Sequence, residues 1–160
     1  MRVIIPAIAV CTALLAGLAS QPATAAGVKI TPLGLIDGEF CPFDRALVFE
    51  DPVGTRILYD PGRTVAGPND PRLAKNDFIL LSHMHRDHVG DKHQPTPNAG
   101  SCGKPTLTEL ALPNTNLVNI ALAKGATIVS GSEMQGFLGN KLKSLGGNAK
   151  KSQLARFGSS

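Results

Sequence analysis

The chain has no tryptophan, one tyrosine and only 4% aromatic residues. In its basic C-terminal quarter (Lys141, Lys143, Lys150, Lys151 and Arg156) no aromatic is interleaved between Lys141 and Arg156. Basic stretches that bind nucleic acid usually carry side chains on which bases can stack. This one reads as solvated surface, and no nucleic-acid partner is expected. Cysteine is scarce as well, with three in 160 residues. Cys11 falls in the apolar N-terminal stretch, so Cys41 and Cys102 alone remain for chemistry. They could form one disulfide in an oxidising compartment, stay as free thiols, or, for Cys102, stand in as a metal ligand. There is no histidine after His93, no aspartate after Asp91 and no internal repeat.

Long apolar runs are absent except near the start. Arg2 is followed by an uncharged apolar stretch, Val3 to Leu18, and then by Ala23-Thr24-Ala25. A short positive region, an apolar core and a small-x-small site form a cleavable secretory signal. Pro6 and Gly17 break the run, which falls short of the ~20 residues a membrane span needs. Residues 1–25 are thus expected to be a signal peptide and residues 26–160 the mature domain. The product would be periplasmic or secreted, with no stable membrane insertion. No cysteine follows the apolar core to carry a lipid anchor. Cleavage leaves about 135 residues, enough for one domain.

Along that domain, residues 28–35 read as a first strand, bent at Pro32. Residues 46–50 and 56–59 form two strands around the turn Asp51-Pro52-Val53-Gly54. Residues 63–76 read as loop, and residues 77–82 as a buried strand. Residues 91–106, rich in Pro, Gly, Asn and Thr, read as another loop. Asn116 is expected to cap a helix running to Lys124, stopped by Gly125. A strand over 126–130 follows, then a helix capped by Ser132 and ended by Gly146-Gly147. Residues 148–160 show little periodicity. Hairpin strands followed by helix, strand and helix predict an α/β fold, a mixed sheet with flanking helices.

Three of the four histidines fall in six positions: His83-Met84-His85-Arg86-Asp87-His88, directly after the apolar run Phe78 to Leu81. On an extended strand end His83 and His85 point the same way, while Met84 points away. A turn starting at Arg86 would bring Asp87 and His88 round to the same cavity. Imidazoles with one carboxylate suit a divalent metal, zinc by default. A fortuitous surface cluster is the competing reading, and the buried strand just before it argues against that. His93, in a Pro-rich loop, reads as solvent-exposed. Glu133 reads as a helix-dipole partner. Lys104 could meet an anion, with nothing specific to support it.

Ser82-His83-Met84-His85-Arg86-Asp87-His88 resembles the His-x-His-x-Asp-His signature of the metallo-β-lactamase superfamily. The preceding strand, the following Gly90 and the earlier strand end Leu58-Tyr59-Asp60-Pro61-Gly62 match its context. The resemblance implies a metallo-β-lactamase-like αββα sandwich and a metal-dependent hydrolase acting on a small-molecule ester, lactone, amide or phosphoester. It implies that His83 and His85 bind a first metal, and Asp87 and His88 a second. Asp87 would double as proton acceptor in a single-metal variant. Asp60 would stand behind, orienting a ligand histidine through its free ring N–H. The cofactor would be zinc, one or two ions, with iron or manganese as substitutes.

The family's site also takes a later histidine, a bridging aspartate and a final histidine, which this sequence does not supply. The domain is therefore expected to be incomplete, the N-terminal half of the sandwich. It would be a truncated product, a natural short form with a single-metal site, or a chain that self-associates to cover its core. A non-catalytic zinc-binding remnant is the alternative function.

Overall fold

The computed structural model describes residues 27–37, 40–42 and 44–155. The expected signal peptide lies outside the described residues. The strands are β1 (Lys29–Pro32), β2 (Leu47–Glu50), β3 (Arg56–Tyr59) and β4 (Phe78–Leu81). A one-turn helix α1 (Arg86–Val89) and four two-residue strands follow: β5 (Lys92–His93), β6 (Gly100–Ser101), β7 (Lys104–Pro105) and β8 (Glu109–Leu110). The chain continues through α2 (Asn116–Lys124), β9 (Thr127–Ser130), α3 (Met134–Ser144), a 3-10 turn (Ala149–Lys151) and β10 (Ser152–Leu154).

Six strands form one mixed sheet in the order β1-β2-β3-β4-β9-β10. The first three pair antiparallel, and β3, β4, β9 and β10 run parallel. The β2–β3 hairpin is closed by Asp51, whose carboxylate accepts from the amides of Val53 and Thr55 at 2.9 and 2.8 Å. A short polar side chain that caps its own turn in this way fixes the hairpin register.

The alternating pattern of β4 decides the layers. Ile79 and Leu81 are buried, whereas Phe78 and Leu80 are 39% and 36% exposed. The inner face of the sheet (Val48, Leu58, Ile79, Leu81 and Ile128) packs on Leu117, Ile120 and Ala121 of α2 and on Leu138 and Leu142 of α3. The register places Ile30, Phe49, Ile57 and Phe78 in one row of the other face, and Leu47, Tyr59, Leu80 and Val129 in the next. Among the described residues, helices therefore cover one side of the sheet only, and the other is an apolar surface.

Several sequence expectations need correction. Thr115, not Asn116, caps α2, its hydroxyl accepting from the Val118 amide. Thr and Asn are both good caps, and Asn116 is used elsewhere, as described below. Ser132 does not cap α3. It takes φ 53° in the preceding turn, Glu133 holds the N-cap position, and no side chain closes the helix end. Residues 91–106 are not a plain loop, since β6 and β7 make a small ribbon and β5 pairs with β8. The aperiodic C-terminal stretch contains β10, three residues parallel to β9. A strand of that length shows too few alternations to be read.

The disulfide alternative for the two cysteines is the one that holds. Cys41 and Cys102 are bonded, with Cα atoms 5.1 Å apart and a separation of 61 positions in sequence. It ties the segment before β2 to the β6–β7 ribbon.

The long connection from β3 to β4 turns on Asp70, whose carboxylate is fully buried. It accepts from Arg72 Nε at 2.9 Å and Nη2 at 2.6 Å, and from the amides of Ala66 and Arg72. Arg72 extends to the carbonyls of Gly34 and Thr64 at 3.1 and 2.8 Å. Burial pushes the Asp70 carboxyl up, but the Arg72 and backbone hydrogen bonds outweigh it and hold it below the usual carboxylate range. A depressed folded pKa stabilises the fold fully above the ordinary carboxylate value and loses that contribution as pH falls through the folded one. Asp70→Asn should thus cost about 2–4 kcal/mol at neutral pH, by leaving the guanidinium half-buried without its anion. It should also flatten the loss of stability below about pH 4. Urea denaturation of both proteins at pH 7, 4 and 3 checks this, and parallel pH curves would contradict it.

Candidate metal centre

Parallel β3 and β4 end side by side at one edge of the sheet, where the chain leaves both strands. Such carboxyl-end edges are where α/β sheets gather ligand-binding loops. The pairing of Tyr59 with Leu80, continued by Asp60 N donating to Leu80 O at 3.0 Å, sets Asp60 beside Ser82. Asp60 is fully buried. It adopts φ 37°, a conformation that few residues other than glycine, asparagine and aspartate tolerate.

Its carboxylate is spent on three donors. Ser82 N reaches Oδ1 at 2.9 Å, Ser82 Oγ reaches Oδ2 at 2.6 Å, and His88 Nδ1 lies 2.6 Å from Oδ2. Ser82 Oγ also lies 2.9 Å from His83 Nδ1. A carboxylate oxygen accepts, so this contact pairs it with the Nδ1–H tautomer of His88. The serine hydroxyl proton points to the same carboxylate, so Ser82 Oγ accepts from His83 Nδ1–H. Both imidazoles are then held with Nε2 as a free lone pair. In this relay Asp60 orients His88 directly and His83 through Ser82.

The other predicted residues cluster here. The His83 ring lies 4.4 Å from that of His85 and 3.9 Å from that of His88, centroid to centroid. Asp87 Oδ2 lies 3.6 Å from His88 Nε2. His85 and Arg86 are exposed, and Met84, beyond the end of β4, packs against the core. Among the described residues, no three of these donors are yet drawn into a common coordination sphere. Their chemistry nonetheless fits a divalent ion: three imidazoles, two with fixed Nε2 lone pairs, and one carboxylate.

His93 stands apart, and it is half-buried rather than exposed. Its Nδ1 lies 2.9 Å from the Gln94 carbonyl and its ring packs on Gly67. Lys104 lies on the β6–β7 ribbon. Neither belongs to the cluster.

The backbone beneath the cluster is closely packed. Gly62 N donates to His88 O at 2.9 Å. A methyl at Gly62, where φ is +56°, would run into the Asp87 carbonyl. Gly90 (φ +70°) comes equally close to the Gly62 carbonyl. Asn116, buried at the start of α2, donates from Nδ2 to Gly62 O at 3.2 Å and Val65 O at 2.8 Å, while its own amide donates to Gly90 O at 2.7 Å. It clamps the post-β3 turn to the end of α1. Sequence reasoning missed Ser82 and Asn116 as site residues. Ser82 stood in the motif without a role, and Asn116 was masked by its fitness as a cap. Arg45 was missed as well. Its Nε lies 3.6 Å from Asp87 Oδ2.

This is a histidine–carboxylate centre on a mixed α/β sheet, and its motif resembles that of the metallo-β-lactamase superfamily. The chain is similar to a UPF0173 metal-dependent hydrolase of Caldivirga maquilingensis, 46% identical over 46 residues, covering 26% of this chain and 19% of that protein. It is also similar to a UPF0173 metal-dependent hydrolase of Cupriavidus metallidurans, 36% identical over 92 residues, covering 49% of this chain and 31% of that protein. These relatives, of the metallo-β-lactamase fold family, bear out the resemblance read from the motif. The matches span less than a third of the length of either relative. No protein-family profile and no solved structure matches the chain.

Ser82→Ala, at an exposed residue, should leave the fold intact and should release His83. Each such hydrogen bond biases a tautomer by about 1 kcal/mol. In 15N NMR, His83 should move toward a mixture of tautomers while His88 keeps its Nδ1–H. Unchanged His83 nitrogen shifts would disprove the relay.

Proposed function

We propose that the chain carries the metal-binding core of an exported metal-dependent hydrolase of metallo-β-lactamase type. Its substrate would be a small molecule with an ester, lactone, amide or phosphoester bond. One observation carries the reading: the buried Asp60 carboxylate fixes His88 directly and His83 through Ser82, so that both offer Nε2 beside His85 and Asp87. That investment of a buried charge in imidazole tautomers suits ligands better than it suits a surface cluster.

His83, His85, Asp87 and His88 would hold the ion, zinc by default and one or two per chain, with iron or manganese as substitutes. Bound there, it would lower the pKa of water and polarise the scissile carbonyl or phosphoryl oxygen. The chain's own part is positional. Asp60 and Ser82 fix two rings, and Asn116 and the two close-packed glycines fix the backbone that bears Asp87 and His88; with a single ion bound, Asp87 would also accept a proton from the attacking water. The helix-backed sheet would be one half of an αββα sandwich. Its apolar outer face is where a second layer, or a second copy of the chain, would sit.

Export is supported by the leader-like residues 1–25 and by the Cys41–Cys102 disulfide, a bond typical of oxidising compartments. No helix among the described residues is long and apolar enough to cross a membrane. A non-catalytic zinc-binding role is the second reading. It is favoured by the donors' incomplete convergence among the described residues.

Elemental analysis of the purified protein should find about one or two zinc ions per chain, lost in His85→Ala. A panel of activated esters and phosphoesters should be hydrolysed at a rate that falls about a hundredfold or more in His83→Ala. Metal bound without any difference in rate between wild type and variant would favour the non-catalytic reading.

A further inference from the structure

Most arginines whose side-chain contacts are described have their donors committed. Arg72 makes bonds to Asp70, Gly34 and Thr64. Arg63 places Nε and Nη2 on Asp91 at 3.2 and 3.0 Å. Arg56 pairs with Glu50 and reaches the carbonyls of Arg72 and Leu73. Arg45 differs. Nη1 donates to its neighbour's carbonyl, Asp44 O, at 2.9 Å, and Nε makes a loose 3.6 Å ion pair with Asp87. Its side chain is 38% exposed, so much of the guanidinium fork is unspent, beside a candidate metal ligand. Arg86 is freer still, at 80% exposure, but it lines a groove behind the cluster with Met84 and Lys141.

The position of Arg45 is built. The preceding Asp44 is buried, and its Oδ2 accepts from the amides of Leu35 and Cys41 at 2.8 and 2.9 Å. Cys41 is anchored to Cys102. The following Ala46 is fully buried, and its carbonyl accepts from Leu33 N at 2.9 Å. A buried carboxylate, a disulfide and a strand start thus hold the residues on either side of one half-exposed arginine. Stability gives little reason for this, since a loose pair at that exposure contributes about 0–1 kcal/mol. A planar fork with free donors is suited to gripping a carboxylate or phosphate through two parallel bonds.

We propose that Arg45 is the anion-recognising residue of the site, and that the substrate carries a carboxylate or phosphate group close to the bond that is cut. The part about the bond rests on the hydrolase reading above. The anion site does not. Arg45 reads a charge on the substrate, and the cluster acts next to it.

Inorganic phosphate is the probe, titrated calorimetrically into the zinc-supplemented full chain and into the metal-free one. Arg45→Gln should weaken phosphate binding about tenfold in both. Arg45→Lys should recover only part of it, because an ammonium is a point charge without the fork. Arg86→Gln, on the other side of the motif, should bind as wild type does. With aryl esters that differ only in an added carboxylate, Arg45→Gln should lower the kcat/KM ratio of anionic to neutral ester about tenfold. Coincident thermal melts of the variants and wild type keep the comparison one of binding. The proposal is overturned if wild type binds no phosphate, if Arg45→Gln binds it unchanged, or if Arg86→Gln weakens it equally. Phosphate binding lost in Arg45→Gln, with no ester cleaved by wild type, would count for Arg45 and against the hydrolase reading.

Discussion

A carboxylate buried at 0% exposure has to find hydrogen-bond donors in place of the water it has lost. Asp60 meets that requirement with a backbone amide, a serine hydroxyl and an imidazole, and most of the site's geometry follows. The three donors come from Ser82 and His88, on the far side of the turn that leaves β4. Satisfying the charge therefore draws the ends of β3 and β4 together. The φ of 37° at Asp60 is the local cost, of the order of 1 kcal/mol. The parallel register of the two strands makes the meeting possible at all. A slip of one residue would turn Asp60 to the other face of the sheet.

A second constraint is close packing beneath the cluster. Gly62, Gly90 and Asn116 bring three stretches of backbone nearer than any side chain at the two glycines would allow. The histidine turn then has little freedom to splay, although His85 itself is open to solvent. Rigid backbone and accessible rings are what a metal centre needs, since ligands must be placed before the ion arrives and still be reachable. Arg45 is positioned on the same plan from the other direction, its neighbours pinned by a buried aspartate and a disulfide.

Much of this was legible in the sequence, for identifiable reasons. The strand ending at Leu81 announced itself by four apolar residues in a row. The hairpin was given away by Asp51-Pro52-Val53-Gly54, and the site by three histidines in six positions. Asp60 was legible only through the family resemblance of the strand end it follows. Other features were written in long-range contacts that no local pattern encodes. Asn116 touches Gly62 and Val65, more than fifty residues away, and looks locally like a helix cap. Arg45 is anonymous in sequence, because what marks it is the donors it does not use. β10 is a strand only because β9 offers an edge.

The apolar face that no described helix covers has a consequence for any measurement on this molecule. Whatever binds the folded state there and not the unfolded chain, whether a detergent monomer, a second copy or another polypeptide, adds to stability by mass action. The melting temperature is then a function of solution composition and protein concentration as well as of sequence. Two laboratories with different buffers would in effect be weighing different complexes.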